Sequence, residues 1–389
     1  MLSSDSETPL LTPKFALLLC ATATFGLSFS TYFLLPKYLA LELGANASAI
    51  GGLNAVAMLA SVIAMPFIGT LVDRYQRKLF GILGALVFAT ASAGYLLVDE
   101  IGPLLWTIRV FQGAAFTFFF VAASTLATDL SPPARIGQAI GLFGAVMIST
   151  NALGPAIAEW GSARFGWDLV FMFTVGAGIV AAALAARINE PRQQRHQHEA
   201  SSMWDVIRRP GLGRTLLVSC LVGWTMGTLY TFYQPWALGL GFRQVSGYLI
   251  GFALSAMVVR VGLGGLADRL GRLRVATVAC GLYVAAPIAL IWVDVFGLVF
   301  AGTMLGLTHG LFFPALNAVA LDSADAHERG KGMAAYHGAF NIGFAAGSYF
   351  CGHIALRSGY PFIFMLAALT CITAFAILVR DLFRRHSGT

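Results

Sequence analysis

Apolar runs of about twenty residues recur through this 389-residue chain, and they leave few architectures open. Each run is long enough for a helix to cross the roughly 30 Å hydrocarbon core of a bilayer. They fall at roughly 15–37, 47–72, 79–98, 103–128, 136–158, 166–187, 213–238, 245–267, 275–293, 295–321, 332–355 and 360–380. Within lipid a backbone must satisfy its own hydrogen bonds, so each run is predicted to be a helix. The alternation that marks outer-membrane strands is absent. Charged residues make up 11% of the chain, under half of the ~25% usual in soluble domains. A water-soluble surface could not be built from so few. The fold class expected is an all-α integral membrane protein with twelve transmembrane helices. The least distinct boundary is Val293-Asp294-Val295, between the ninth and tenth runs.

The charges between the runs set an orientation. If both termini lie in the cytoplasm, all but six of the 25 Lys and Arg residues fall on that side. Lys37, Arg164, Arg243 and Arg357 lie at outer ends, while Arg109 and Arg260 lie inside spans. This asymmetry is the positive-inside pattern of a multi-pass protein. The net charge of +7 therefore reports topology, and no nucleic-acid partner is implied. Met1–Pro13 is polar and lacks a basic leader, so the first span is expected to be retained. No disulfide or metal site is expected, because the five cysteines sit in apolar runs without paired spacing.

A charged segment then shows that the plan is used twice. Gly69, Asp73, Arg74 and Arg77 lie between the second and third runs, and Gly264, Asp268, Arg269 and Arg272 lie between the eighth and ninth. Every pair is separated by 195 residues. Copy one carries Gln76 where copy two has Gly271, so its turn is expected to be less tight. The longest interruption, 189–213, separates an N-terminal six-helix bundle at 1–188 from a C-terminal one at 214–389. This linker holds His196 and His198, and Met203–Arg209 has the composition of a short surface helix.

With this loop in both halves, the whole chain resembles the major facilitator superfamily. Arg109-Val110-Phe111-Gln112-Gly113 is similar to the family's second motif, and Gly154-Pro155 matches its antiporter motif in part. The resemblance implies two pseudo-symmetric bundles around a central cavity, the parallel-repeat arrangement for which this superfamily is itself the standing example. It assigns both charged loops to a gate, in which Asp73 and Asp268 would face helix N-termini of the opposite half. Anchoring of topology is an equal reading for the arginines. The resemblance also implies that Arg109 serves proton coupling, and that helices 1, 4, 7 and 10 line the cavity. Its candidate lining residues are Phe25, Phe29 and Tyr32, then Trp224, Tyr230, Tyr233 and Gln234.

Residues inside the spans add further candidates. An arginine at a helix centre costs roughly 2.5–3.5 kcal/mol on the insertion scale. Arg109 and Arg260 must therefore face protein or water. For Arg260, local pairing or snorkelling fits as well as coupling. His309 shares a helical face with Phe313 and Asn317, and His337 shares one with Asn341. Asp129, Glu159 and Asp322 all read as end-of-span residues, which leaves histidine as the titratable side chain at mid-membrane.

The function expected is secondary active transport, most simply proton-coupled export of a small amphiphilic metabolite or drug from a monomer in the inner membrane. Proton-coupled uptake is the alternative, and a receptor or assembly factor on the same scaffold is the reading from another class. No GxxxxGK[ST] loop offers an ATP engine, no HExxH or GxSxG points to an enzyme, and no cofactor is implied. The expected cavity carries aromatic, amide, histidine and arginine groups and no acid, so neutral or anionic substrates are expected over permanent cations.

Overall fold

The structure is a computed structural model describing residues 10–132, 135–190, 208–209, 211–263, 265–322 and 329–386. For Asp73, Val295, 329–330 and 385–386 only the backbone is described. Most of the linker, including His196, His198 and most of Met203–Arg209, lies outside the described residues, as does Gly264. Among the described residues every regular element is helical.

The elements are α1 (Pro13–Thr31), a 3-10 turn (Tyr32–Leu34), α2 (Leu35–Leu41), α3 (Ala47–Arg74), α4 (Arg77–Gly94), α5 (Pro103–Asp129), α6 (Ile136–Phe165) and α7 (Trp167–Ala186). After the linker come α8 (Leu212–Gly239), α9 (Gly247–Leu263), α10 (Leu266–Leu270), α11 (Arg272–Tyr283), α12 (Ala285–Ile291), α13 (Val293–Phe296), α14 (Leu298–Asp322) and α15 (Arg329–His386). Among the described residues, ten helices are long and apolar enough to cross a membrane. Gly247–Leu263 is a shorter apolar helix, and Lys331–Arg384 holds two of the expected spans. At 58 residues α15 would run about 87 Å, far beyond one crossing. It breaks at Gly359, whose φ of 76° belongs to the left-handed region that glycine enters freely.

Two boundaries differ from the sequence reading. The ninth and tenth spans separate at Gly297 (φ 80°), because a left-handed residue ends a helix where Val293-Asp294-Val295 does not. The fifth span runs on to Phe165, so Glu159 stands inside α6 and not at its end.

The chain forms two compact units. One contains residues up to Tyr38 and those from Leu59 to the linker, and the other contains Leu39–Met58 and the chain beyond the linker. In the first, α1 packs on α6 and α7, while α4 packs on α5 and α7. In the second, α8 packs along α15, α11 packs on α14 and α15, and α9 packs on α14. Hydroxyls within the spans bond to the carbonyl one turn back, as Thr22 Oγ1 does to Leu18 O at 2.8 Å and Thr277 Oγ1 to Leu273 O at 2.7 Å. Others tie helices together: Ser28 Oγ donates to Thr174 O at 2.7 Å and Ser30 Oγ to Thr150 O at 2.6 Å. Such bonds matter in lipid, where apolar faces alone give helices no reason to associate.

The first half of α3 belongs to the second unit. Ser48 Oγ lies 3.0 Å from His353 Nε2, and Asn54 Nδ2 donates to Thr231 Oγ1 at 3.3 Å. Gly51 sits so close to Ser348 that a Cβ there would fall 2.2 Å from its carbonyl oxygen.

Candidate functional site

The repeated loops carry the same ion pair in each unit. Arg77, at the first turn of α4, pairs with Asp129 at the last residue of α5. Arg272, at the first turn of α11, pairs with Asp322 at the last residue of α14 across 2.6 Å. The aspartates are 193 residues apart, two fewer than the arginines. Glu190 adds a cap in the first unit, accepting from Arg77 N at 2.9 Å and Lys78 N at 3.4 Å. A carboxylate there also meets the positive end of the α4 dipole. In the second unit Asp268 Oδ1 accepts from Arg272 Nε at 3.2 Å, a local i, i+4 contact.

The turns differ as expected. Gly271 adopts φ 94°, whereas Gln76 is extended at φ −63° and ψ 123°. Arg74 and Arg269 are exposed. Gly69 has open space where a Cβ would stand, so packing does not demand glycine there. The side chain of Asp73 lies outside the described residues.

Arg109 is buried in α5, where its Nη1 donates to Gln112 Oε1 at 2.9 Å. Tyr95 Oη donates to the same oxygen at 3.1 Å. Arginine and glutamine of the motif thus form one turn-length contact, and the amide oxygen joins it to an aromatic cluster of Tyr95, Tyr32 and Phe171. His309 is buried in α14 with Nδ1 3.2 Å from Tyr283 Oη, and its ring lies 5.0 Å from that of Phe313. His337 borders Phe313 from α15, with centroids 5.3 Å apart.

The expected lining residues divide by burial. Phe25, Tyr233 and Gln234 are buried completely and Tyr32 nearly so, and they present no surface to a ligand in this structure. Phe25 stacks on Phe119 at 3.8 Å, and Tyr233 stacks on Tyr248 at 4.2 Å. Phe29, Trp224, Tyr230, Phe313, Asn317 and Asn341 are half-buried. Trp224 stacks on the exposed Phe350 at 5.9 Å, and Tyr230 meets Phe252 edge-on at 5.5 Å.

The sequence reading missed a buried ion pair. Lys37 Nζ, on α2, lies 2.5 Å from Glu159 Oε1 on α6, and the side chains are only 10% and 7% exposed. Both residues had read as ends of spans, so nothing in their spacing joined them. The contact closes a seam of small residues between α1 and α6, where a Cβ on Gly26 or Gly154 would strike Thr150 or Ser30.

Comparison with known proteins agrees with this architecture. The sequence profile of the Major Facilitator Superfamily matches residues 17–302 and 294–388. An uncharacterized MFS-type transporter of Methanocaldococcus jannaschii is 21% identical over 86% of the chain and 89% of its own length. Multidrug resistance protein 3 of Bacillus subtilis is 32% identical over 32% of the chain, which is 24% of that protein. Among solved structures, the nucleoside transporter NupG shares the fold with a TM-score of 0.74 at 14% identity, covering 95% of this chain and 99% of its own.

Proposed function

The chain belongs to the Major Facilitator Superfamily and is a transporter of that superfamily, and from that premise we propose that it exports a small amphiphilic compound in exchange for protons. The observation that carries the reading is the repeated pair, Arg77–Asp129 and Arg272–Asp322. Each unit holds the same charge-assisted contact at the same helix ends, as a device working in two halves needs. The halves are taken as 1–188 and 214–389, exposing a site alternately to the two sides. Asp73 and Asp268 bias that equilibrium as the gate. Export is supported by the stretch shared with a protein named for multidrug resistance.

Proton coupling is assigned to the buried polar groups of both units. Arg109 stands in the Gln112–Tyr95 network, and His309 and His337 flank Phe313. Glu159 is an acid within a span, contrary to the sequence expectation, but it lies against Lys37. A buried carboxylate held by an amine is a poor counter-ion for a cationic substrate, so the preference for neutral or anionic amphiphiles stands. The concentration of basic residues in alternate loops supports an inner-membrane protein with both termini in the cytoplasm.

The test uses everted membrane vesicles with an acid interior reported by acridine orange quenching. Naphthalenesulfonate, a permanently charged amphiphile, is added outside. Recovery of fluorescence only in vesicles that hold the protein is the result expected of antiport. Deepened quenching or an unchanged signal would count against exchange of protons for this class of compound.

A further inference from the structure

In the second unit α9 and α14 run side by side, and glycine keeps them closed. A Cβ on Gly302 would stand 1.9 Å from Tyr248 O, and one on Gly306 would stand 2.2 Å from Phe252 O. A Cβ on Gly310 would reach Ala256 Cα at 3.2 Å. Contacts therefore advance by four residues on both helices. One more step sets Arg260 abreast of Pro314. The small residues stop at that level, and the largest cationic side chain takes their place.

Arg260 does not lie on the outer face of α9. Leu254, Val258 and Val261 mark that face with exposures of 60%, 68% and 81%. At 100° per residue Arg260 stands about 120° away from it. Its Nε is buried without a hydrogen-bond partner among the described residues. None of the ion pairs among the described residues includes it. The carboxylate that follows on the next short helix, Asp268, is bonded to Arg272. A cation inside a membrane span is retained for a partner or a function, and among the described residues no ion pair supplies the partner.

A second unpartnered group stands nearby in the register. Asn317 follows Gly310 and Pro314 on one face of α14, and its Oδ1 is also buried without a partner among the described residues. An amide offers an acceptor for a ligand hydroxyl or, turned over, an N–H donor for a ligand oxygen. On the adjoining face, His309, Phe313 and Phe340 form an aromatic wall, with centroids 5.0 Å and 5.1 Å apart along it.

We propose that Arg260 and Asn317 form a subsite for the anionic headgroup of an organic substrate, a carboxylate or sulfonate whose apolar body lies against Phe313. The guanidinium fork matches two oxygens of such a group and supplies its counter-charge. The amide fixes the headgroup from α14. This assignment rests on the transporter reading above and narrows its substrate class to organic anions.

The test is calorimetric titration of the purified full-length protein with three probes: naphthalenesulfonate, its neutral analogue naphthalenesulfonamide, and naphthylmethyl-trimethylammonium. The sulfonate is expected to bind tightest. Arg260→Gln is expected to weaken the sulfonate about tenfold or more, the usual scale for losing a charged hydrogen-bond partner. The sulfonamide should stay within about twofold, since it carries no charge to lose. Arg260→Lys, which keeps the charge without the fork, should recover part of the loss and serves where the glutamine variant does not fold. Asn317→Ala should weaken the sulfonate a few fold. Unchanged sulfonate affinity in Arg260→Gln, or an equal loss for all three probes, overturns the subsite. Binding of the sulfonamide without the sulfonate overturns it too, while leaving an amphiphile transporter standing. Absence of binding by any probe overturns both.

Discussion

Breaking the Lys37–Glu159 pair is expected to destabilise the first unit far more than removing it whole. The two side chains are 10% and 7% exposed and their charged atoms lie 2.5 Å apart, so solvent screens the interaction little. Lys37→Met takes the cation from beside a carboxylate that stays buried. Removing one partner of a buried pair typically costs about 3–5 kcal/mol. Replacing both by apolar residues, as in Lys37→Met with Glu159→Leu, is typically neutral or stabilising by about 1–4 kcal/mol. With both single variants at that cost and the double variant near neutral, the coupling energy from the double-mutant cycle should be about 6 kcal/mol or more, beyond the range of additive sites. The assay is reversible unfolding of the purified protein in mixed micelles, followed by tryptophan fluorescence for the wild type, both single variants and the double variant. Single variants within about 1 kcal/mol of wild type, with additive effects, would refute the claim that this pair is desolvated and coupled. They would also remove the reason for excluding Glu159 from substrate binding.

The other expectations separate packing from gating. Gly302→Ala, which drives a Cβ into Tyr248 O, should destabilise by about 1–3 kcal/mol, whereas Gly137→Ala, with open space at its Cβ, should be neutral or stabilising by up to ~1 kcal/mol; thermal unfolding of both variants checks this. Arg77→Gln should cost more stability than Arg272→Gln, because the first pair is 17% and 24% exposed and the second 41% and 51%, the range where ion pairs give about 0–1 kcal/mol. Asp73→Asn should lower turnover while probe affinity stays within a few fold, and Asp268→Asn should do less; equal loss of equilibrium binding in both would count against gating. A His309→Gln, His337→Gln protein should still exchange probe at equilibrium but no longer accumulate it under an imposed pH difference, and retained accumulation would move coupling elsewhere.

The span pattern was legible because lipid permits so few alternatives: run length alone placed nearly every helix. The exceptions were local. Glycine with positive φ moved a boundary to Gly297, a choice that hydropathy does not encode, whereas the break of α15 at Gly359 falls in the gap between the eleventh and twelfth runs. The repeat was legible at the arginines, but their acidic partners were not, since Asp129 and Asp322 are distant in sequence and keep a spacing of 193 against 195. Searching the second copy for acids at nearly the same offset would have found them. Lys37 and Glu159 had no such signal, because one comes from α2 and the other from the interior of α6. The aromatic candidates show the limit of family analogy, which selects helices but not faces. Phe25 and Tyr233 went to the core, while Phe29 and Tyr230 keep part of their surface.

The most direct test of proton-coupled transport is uptake of labelled naphthalenesulfonate into proteoliposomes holding the purified protein. The pH difference is imposed and then collapsed with nigericin. Accumulation above the outside concentration while the gradient persists, followed by efflux on its collapse, is the predicted result. Simple equilibration that ignores the gradient, or no protein-dependent flux at all, would contradict it.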